Sequence, residues 1–197
     1  MNFSEKEIFD LVKAWIAISI AFGIYIAKDN LVSLFSPEFS TYLLIAAFTV
    51  GIGFLLHELG HKFMAQKYKF LAEFRSYDPM LILAILISFL GVIFIAPGAV
   101  MIHGYYMTKE KNGKISAAGP IVNLALAFIF LALFFLGIDN LFIYYGAFIN
   151  SLIALFNMIP LGPLDGKKII KWSKPIYYSM LVVGIIFLFV SSAWLNV

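Results

Sequence analysis

Two histidines and a glutamate fall within five residues, His57-Glu58-Leu59-Gly60-His61. On a helix, a spacing of four stacks both imidazoles on one face, one turn apart. Two such nitrogens can bind one zinc ion. The glutamate between them is placed to act as general base on water that the metal activates. A five-residue match arises readily by chance in a soluble protein. This one lies inside an apolar stretch, Tyr42–Met64. Ionisable residues at membrane depth are costly and functional by default.

Catalytic zinc commonly takes three protein ligands and leaves one position open. The candidates for the third are His103, Asp165 and Glu73. Asp165 closes the segment Asn157-Met-Ile-Pro160-Leu-Gly-Pro163-Leu-Asp165-Gly166. Its prolines end a helix and turn the chain. A carboxylate is therefore expected on unwound backbone at the membrane edge. It would also halve the charge of a dication held by two neutral imidazoles, which matters in a low dielectric. Asp before Gly is equally a common turn pair. His103 sits in a Gly-bounded, β-prone stretch. It reads as an ordinary loop histidine, or more sharply as a group near the metal that polarises substrate or gates water. Asn123 and Asn157 are amides in apolar helices and need partners. They can bond each other, or a substrate backbone or oxyanion; Asn150 is a lesser case of the same kind. Gly119-Pro120 is expected to open a helix, with Pro in its first turn.

The chain that must position these groups is 62% hydrophobic and 13% charged, with a mean hydropathy of +0.96. Soluble domains are about half apolar and about a quarter charged. The class expected is an all-α polytopic membrane protein. Cysteine is absent, which excludes disulfides and thiolate metal sites. The net charge of +3 does not point to nucleic acid. The mixed-charge N-terminus lacks the pattern of a cleaved secretory signal, so the first apolar segment is expected to be retained. A single membrane domain over residues 1–197 is expected.

Five segments approach the roughly 20 apolar residues needed to cross a bilayer: Leu11–Ala27, Tyr42–Met64, Ala117–Gly137, Leu141–Met158 and Ile176–Leu195. A sixth run, Met80–Ala96, is bounded by Pro79 and by Pro97-Gly98. Cytoplasmic loops are rich in Lys and Arg. If this run does not cross, all of the chain's 14 basic residues except Lys28 share one side. If it crosses, they divide almost evenly. Met80–Ala96 is therefore read as re-entrant, with the N-terminus and the His57–His61 end of its span facing the cytosol. The expected architecture is five to six transmembrane helices, a re-entrant segment and a small membrane-associated β-region, with 80–106 covering the last two.

Three motifs in order, His57-Glu-Leu-Gly-His61, Gly119-Pro120-Ile-Val-Asn123 and Asn157 to Gly166, resemble those of the site-2 protease family of intramembrane metalloproteases. The resemblance covers about residues 42–170. It implies one zinc per chain, held by His57, His61 and Asp165, with Glu58 as the catalytic residue. It also implies a multi-pass protein of a prokaryotic cell membrane that cuts transmembrane protein substrates within or beside the bilayer. A β-region after the first motif helix would fit residues 98–106. The family often has a second Gly after Asp-Gly, where this chain has Lys167, and there is no room for a PDZ or CBS domain. Two other classes compete. A metal transporter would show internal repeats and a mid-depth site, and no repeat is visible. An inactive helix-binding scaffold would have no use for Glu58.

Overall fold

The computed structural model describes residues 2–30, 32–92 and 98–194. The protein is an all-α polytopic membrane protein with one small sheet. In chain order the elements are α1 (Glu5–Asp29), α2 (Phe39–Lys67), β1 (Leu71–Ser76), α3 (Asp78–Ser88), β2 (Gly98–His103), α4 (Lys109–Phe135), α5 (Leu141–Asn157), α6 (Asp165–Trp172) and α7 (Lys174–Trp194). Four of the helices, α1, α2, α4 and α7, are long and apolar enough to span a bilayer. Large apolar side chains on them point outward, among them Leu44, Phe48, Phe128, Phe135 and Phe189. In water that exposure would be costly; in lipid it is not.

Apolar runs and helices do not coincide. α4 begins at Lys109, eight positions before the apolar run does. The Thr108 hydroxyl caps it by accepting from Lys111 N at 3.2 Å, and Glu110 pairs with Lys114 one turn on. Polar residues thus build a helical start that hydropathy does not register. Pro120 consequently lies inside α4 rather than in its first turn, contrary to expectation. The 17 residues of α5 sit at the lower limit for a span. The 11 residues of α3 rise only about 16 Å, roughly half the hydrocarbon thickness. The end of the Met80–Ala96 run, 93–96, lies outside the described residues. β2 falls within the expected β-region and pairs with β1, a strand with no clear signal in the sequence.

The chain divides into two compact units. The first comprises Met1–Leu55 and Glu73–Met101. Here α1 crosses α2 where Gly51 meets Trp15; a Cβ on Gly51 would lie 2.7 Å from the indole ring. The indole N–H donates to Ala47 O at 3.0 Å, at the start of a π-helical turn, Ala47–Gly51. The charged first turns of α1 clasp the strand: Phe74 N donates to Glu7 Oε1 at 2.9 Å, and Ser76 Oγ to Asp10 Oδ1 at 3.1 Å. Lys13 pairs with Asp78 at 2.5 Å. Hydrogen bonding to Lys13 is the chief reason the Asp78 carboxyl sits below the usual range.

The second unit comprises Leu56–Ala72 and Ile102–Val197. Its core gathers Leu124 of α4, Ala154 of α5, Ile169 of α6 and Tyr177 and Met180 of α7. Small residues set the spacings. Gly113 lies under Trp172, and Gly146 under Phe130, where a Cβ would approach the ring to 2.6 Å. The Tyr177 hydroxyl donates to Met158 O at 3.0 Å, tying α7 to the end of α5.

The Glu7 carboxylate is fully buried and accepts a backbone N–H. Replacing it with Ala strands that donor, at a cost of about 2 kcal/mol or a fall of roughly 4–8 °C in melting temperature. Glu7→Gln, which keeps an acceptor, should lose clearly less. Thermal unfolding in detergent measures both, and an alanine variant melting with the wild type would remove the clasp from the account.

Candidate metal centre

The centre lies wholly within the second unit. α2 carries His57, Glu58 and His61, all buried. Gly60, on the same helix, leaves room for α4: a Cβ there would lie 3.1 Å from Ala118 O. Gly119 of α4 faces the imidazoles directly. A Cβ on it would stand 2.5 Å from His61 Nε2 and 2.6 Å from His57 Nε2. A side chain at Gly119 would therefore fill the space in front of the two nitrogens.

Asp165 comes from the far end of the chain. The turn after α5 places Gly162 at φ +53°, a conformation that suits glycine. Gly166 then packs against Met158 O, where a Cβ would collide. The carboxylate opens helix α6 rather than standing on unwound backbone. A helix N-terminus favours negative charge. Burial pushes the Asp165 carboxyl up, but the imidazoles of His61 and His57 outweigh it and hold the group well below the usual carboxylate range. Lys168 Nζ stands 3.9 Å from its other oxygen.

Three atoms converge. His57 Nε2 and His61 Nε2 are 3.0 Å apart, and Asp165 Oδ2 lies 3.5 Å from the first and 3.1 Å from the second. Three donors at about 2.0–2.1 Å around a tetrahedral zinc would stand about 3.3 Å from one another. The remaining ring nitrogens show which atoms carry hydrogen. His57 Nδ1 donates to Asn123 Oδ1 at 2.6 Å, and His61 Nδ1 donates to Ile115 O at 2.8 Å. Both acceptors are carbonyl oxygens, so in neutral rings both Nε2 atoms present lone pairs. Two imidazole lone pairs and a carboxylate facing one another, buried, repel unless a cation lies among them. The donor set, its spacing and the space at Gly119 all fit zinc.

Pro120 has a role in this geometry. It has no N–H to give Ser116 O, and its ring crowds that carbonyl. Ser116 O thereby loses its helical donor, one residue after Ile115, whose carbonyl meets His61.

Among the described residues, only His57, His61 and Asp165 form a group able to hold a metal. His103 is exposed at the end of β2, and Glu73 pairs with Arg75. Asn123 is fully buried and bonds Asn150 rather than Asn157: its Nδ2 donates to Asn150 Oδ1 at 3.0 Å. Asn157 is half-buried and donates to Ile153 O of its own helix at 3.0 Å. Asn150 carries little signal in the sequence. The spacing of seven between it and Asn157, two turns of one helix, was the available hint.

The chain is 40% identical over 178 residues to "Putative zinc metalloprotease MJ0611" of Methanocaldococcus jannaschii, covering 87% of each protein. It is 33% identical over 142 residues to "Putative zinc metalloprotease Rip2" of Mycobacterium tuberculosis, covering 63% of this chain and 54% of that protein. With "Putative zinc metalloprotease YwhC" of Bacillus subtilis it shares 31% over 156 residues, 66% of this chain and 68% of the other. No family model matches the chain, and no solved structure matches it.

Gly119→Ala places a methyl group where the two Nε2 atoms converge. Zinc affinity, measured by competition with a chelator, is expected to fall roughly tenfold or more, as for displaced ligands elsewhere. The overlap with the two rings costs about 1–3 kcal/mol in packing, more than the helix gains from alanine, so some thermal stability should be lost as well; unchanged affinity would contradict the geometry.

Proposed function

The chain belongs to the site-2 protease family of zinc metalloproteases, and from that premise we propose that it hydrolyses peptide bonds within or beside transmembrane segments of other membrane proteins. The observation that carries the reading is the buried convergence of His57, His61 and Asp165, with Glu58 on the same helix between the two histidines. We read the three as the ligands of one zinc ion per chain. When bound, zinc supplies acidification of water, to a pKa of about 7, and polarisation of the scissile carbonyl.

The protein's own groups do the rest. Glu58 takes the proton of the attacking water and passes it to the leaving amine. Its place in a protein-covered, apolar region keeps bulk water from competing for that proton. Asn123 does not reach substrate in this reading; its carbonyl is given to His57, so it positions a ligand. Asn157 is the better oxyanion donor. Its amide has two hydrogens, and one goes to Ile153 O. The other is available to a developing negative charge. His103, exposed beyond β2, would meet substrate only at the rim.

A transmembrane helix buries its carbonyls in its own hydrogen bonds. Substrates must therefore unwind locally, and helix breakers near the cut are expected. The distribution of lysines favours a site open toward the cytosol, with the N-terminus on that side and α3 entering the bilayer without crossing. The short length of α3 supports the last point.

Three preparations test the reading: wild type, Glu58→Gln and Asp165→Ala, each assayed for zinc per chain and for cleavage of a single-span reporter in proteoliposomes. Wild type and Glu58→Gln should hold about one zinc. Glu58→Gln should cleave slower by about 10²–10⁴-fold or more, and Asp165→Ala should lose both metal and activity. Cleavage by Glu58→Gln at the wild-type rate would remove the general base. Full zinc in Asp165→Ala would return the third ligand to His103 or Glu73. Zinc flux without cleavage would favour a transporter.

A further inference from the structure

We propose that Asn150 is a positioning residue of the metal centre: acting through Asn123, it fixes which nitrogen of His57 carries hydrogen and which is left for the metal. The proposal rests on His57 being a ligand.

Hydrogen-bond polarity fixes each group in turn. A backbone carbonyl can only accept. Gly146 O lies 2.9 Å from the Asn150 side chain, which must therefore present its Nδ2 there. That leaves Asn150 Oδ1 toward α4, where it accepts from Asn123 Nδ2 at 3.0 Å. Asn123 is now fixed in turn, with its Oδ1 toward His57 at 2.6 Å. Since that oxygen can only accept, His57 must hold hydrogen on Nδ1. Its Nε2 then carries the lone pair that faces His61 and Asp165. The opposite tautomer would aim an N–H into the same space.

Every link is buried where water cannot substitute. Asn123 and Asn150 each have no exposed surface. The approach of α4 to α5 that lets the two amides meet depends on Gly146, whose missing side chain admits the Phe130 ring. The same glycine thus supplies the carbonyl that sets the polarity and the gap that lets the relay close. An asparagine flipped by a half-turn would break two bonds at once, leaving like atoms in contact, so the chain of amides has one stable sense.

His61 serves as an internal control. Its Nδ1 donates straight to Ile115 O, with no side chain between. A change at Asn150 should redistribute hydrogen between the two nitrogens of His57 and leave hydrogen on His61 Nδ1. A defect of folding or packing would not distinguish the two rings.

The experiment uses the full chain with ¹⁵N-labelled histidine, metal-free, in detergent. Ring-nitrogen shifts report the tautomer, and chelator competition reports zinc affinity. Wild type should show His57 with hydrogen on Nδ1. Asn150→Leu should show a mixture at His57, hydrogen still on Nδ1 of His61, and zinc affinity lower by about 10–100-fold, the range for outer-shell partners. Asn150→Asp keeps an acceptor for Asn123 but cannot donate to Gly146 O in its ionised form. It should stay nearer to wild type than to the leucine variant. The proposal is overturned if Asn150→Leu keeps the wild-type His57 spectrum and affinity, or if Asn150→Asp loses as much as Asn150→Leu. Should the leucine variant not fold, Asn150→Ser carries the same two outcomes. A wild type without zinc affinity would overturn the metal reading instead, whatever its tautomer.

Discussion

Three electron-pair donors facing one another in a buried, apolar setting are the constraint on which the rest of this structure turns. Left alone, two imidazole nitrogens and a carboxylate at such separations repel. They are held there by a metal ion, by a proton shared among them, or by a scaffold that tolerates the strain. Much of the second unit is such a scaffold. α2 supplies two donors at helical spacing, α6 supplies the third, and α4 stands against them with glycine where any side chain would intrude. The prolines and glycines of the turn after α5 bring Asp165 back to the level of the histidines. A one-turn slip of α2 against α4 would lose the bonds to Asn123 and Ile115 together.

Outward-facing bonds do as much as inward ones. Each histidine is tied by its second nitrogen to α4, one through a side-chain amide and the other through a main-chain carbonyl. An uninterrupted helix offers few carbonyls to outside donors, since each already accepts from its own ladder. Pro120 removes one donor of that ladder, the one that would meet Ser116 O, next to Ile115. Ile115 O, which has two lone pairs, is the acceptor that His61 finds on α4. In lipid this matters more than in water, because an unsatisfied N–H has no solvent to turn to.

Much of this was legible in the chain, and the boundary between what was and was not is physical. The pair of histidines and the glutamate show at helical spacing, because one turn of helix puts them on one face. Asp165 shows less sharply, since an aspartate before glycine serves turns as readily as metals; tertiary folding alone brings it within reach of His57 and His61. The membrane class follows from composition, because lipid accepts apolar surface that water does not. Pro120 was misjudged as a helix opener. The residues before it are polar, and hydropathy detects the part of a helix that suits lipid, not its capped and charged beginning. Asn150 and the clasp of Glu7 on β1 left almost no trace. Each depends on contacts between elements far apart in sequence, which no local period encodes.

Charge imposes the last constraint. A dication between two neutral imidazoles would leave its whole charge in a low dielectric, where solvation by water is lost. Asp165 would cancel one of those two units. The two carboxylates are not interchangeable in this account. One lies against the imidazole nitrogens and opens a helix whose dipole also favours its charge. In the proposed reaction Glu58, on α2 between the histidines, would carry one unit more positive charge for as long as it held the proton taken from water. That imbalance is itself useful, since an oxyanion developing on substrate in the same step restores it. A proton moves at low cost in an apolar setting when negative charge appears as it moves, and in the proposed reaction Asp165 keeps its charge while Glu58 takes up and releases the proton.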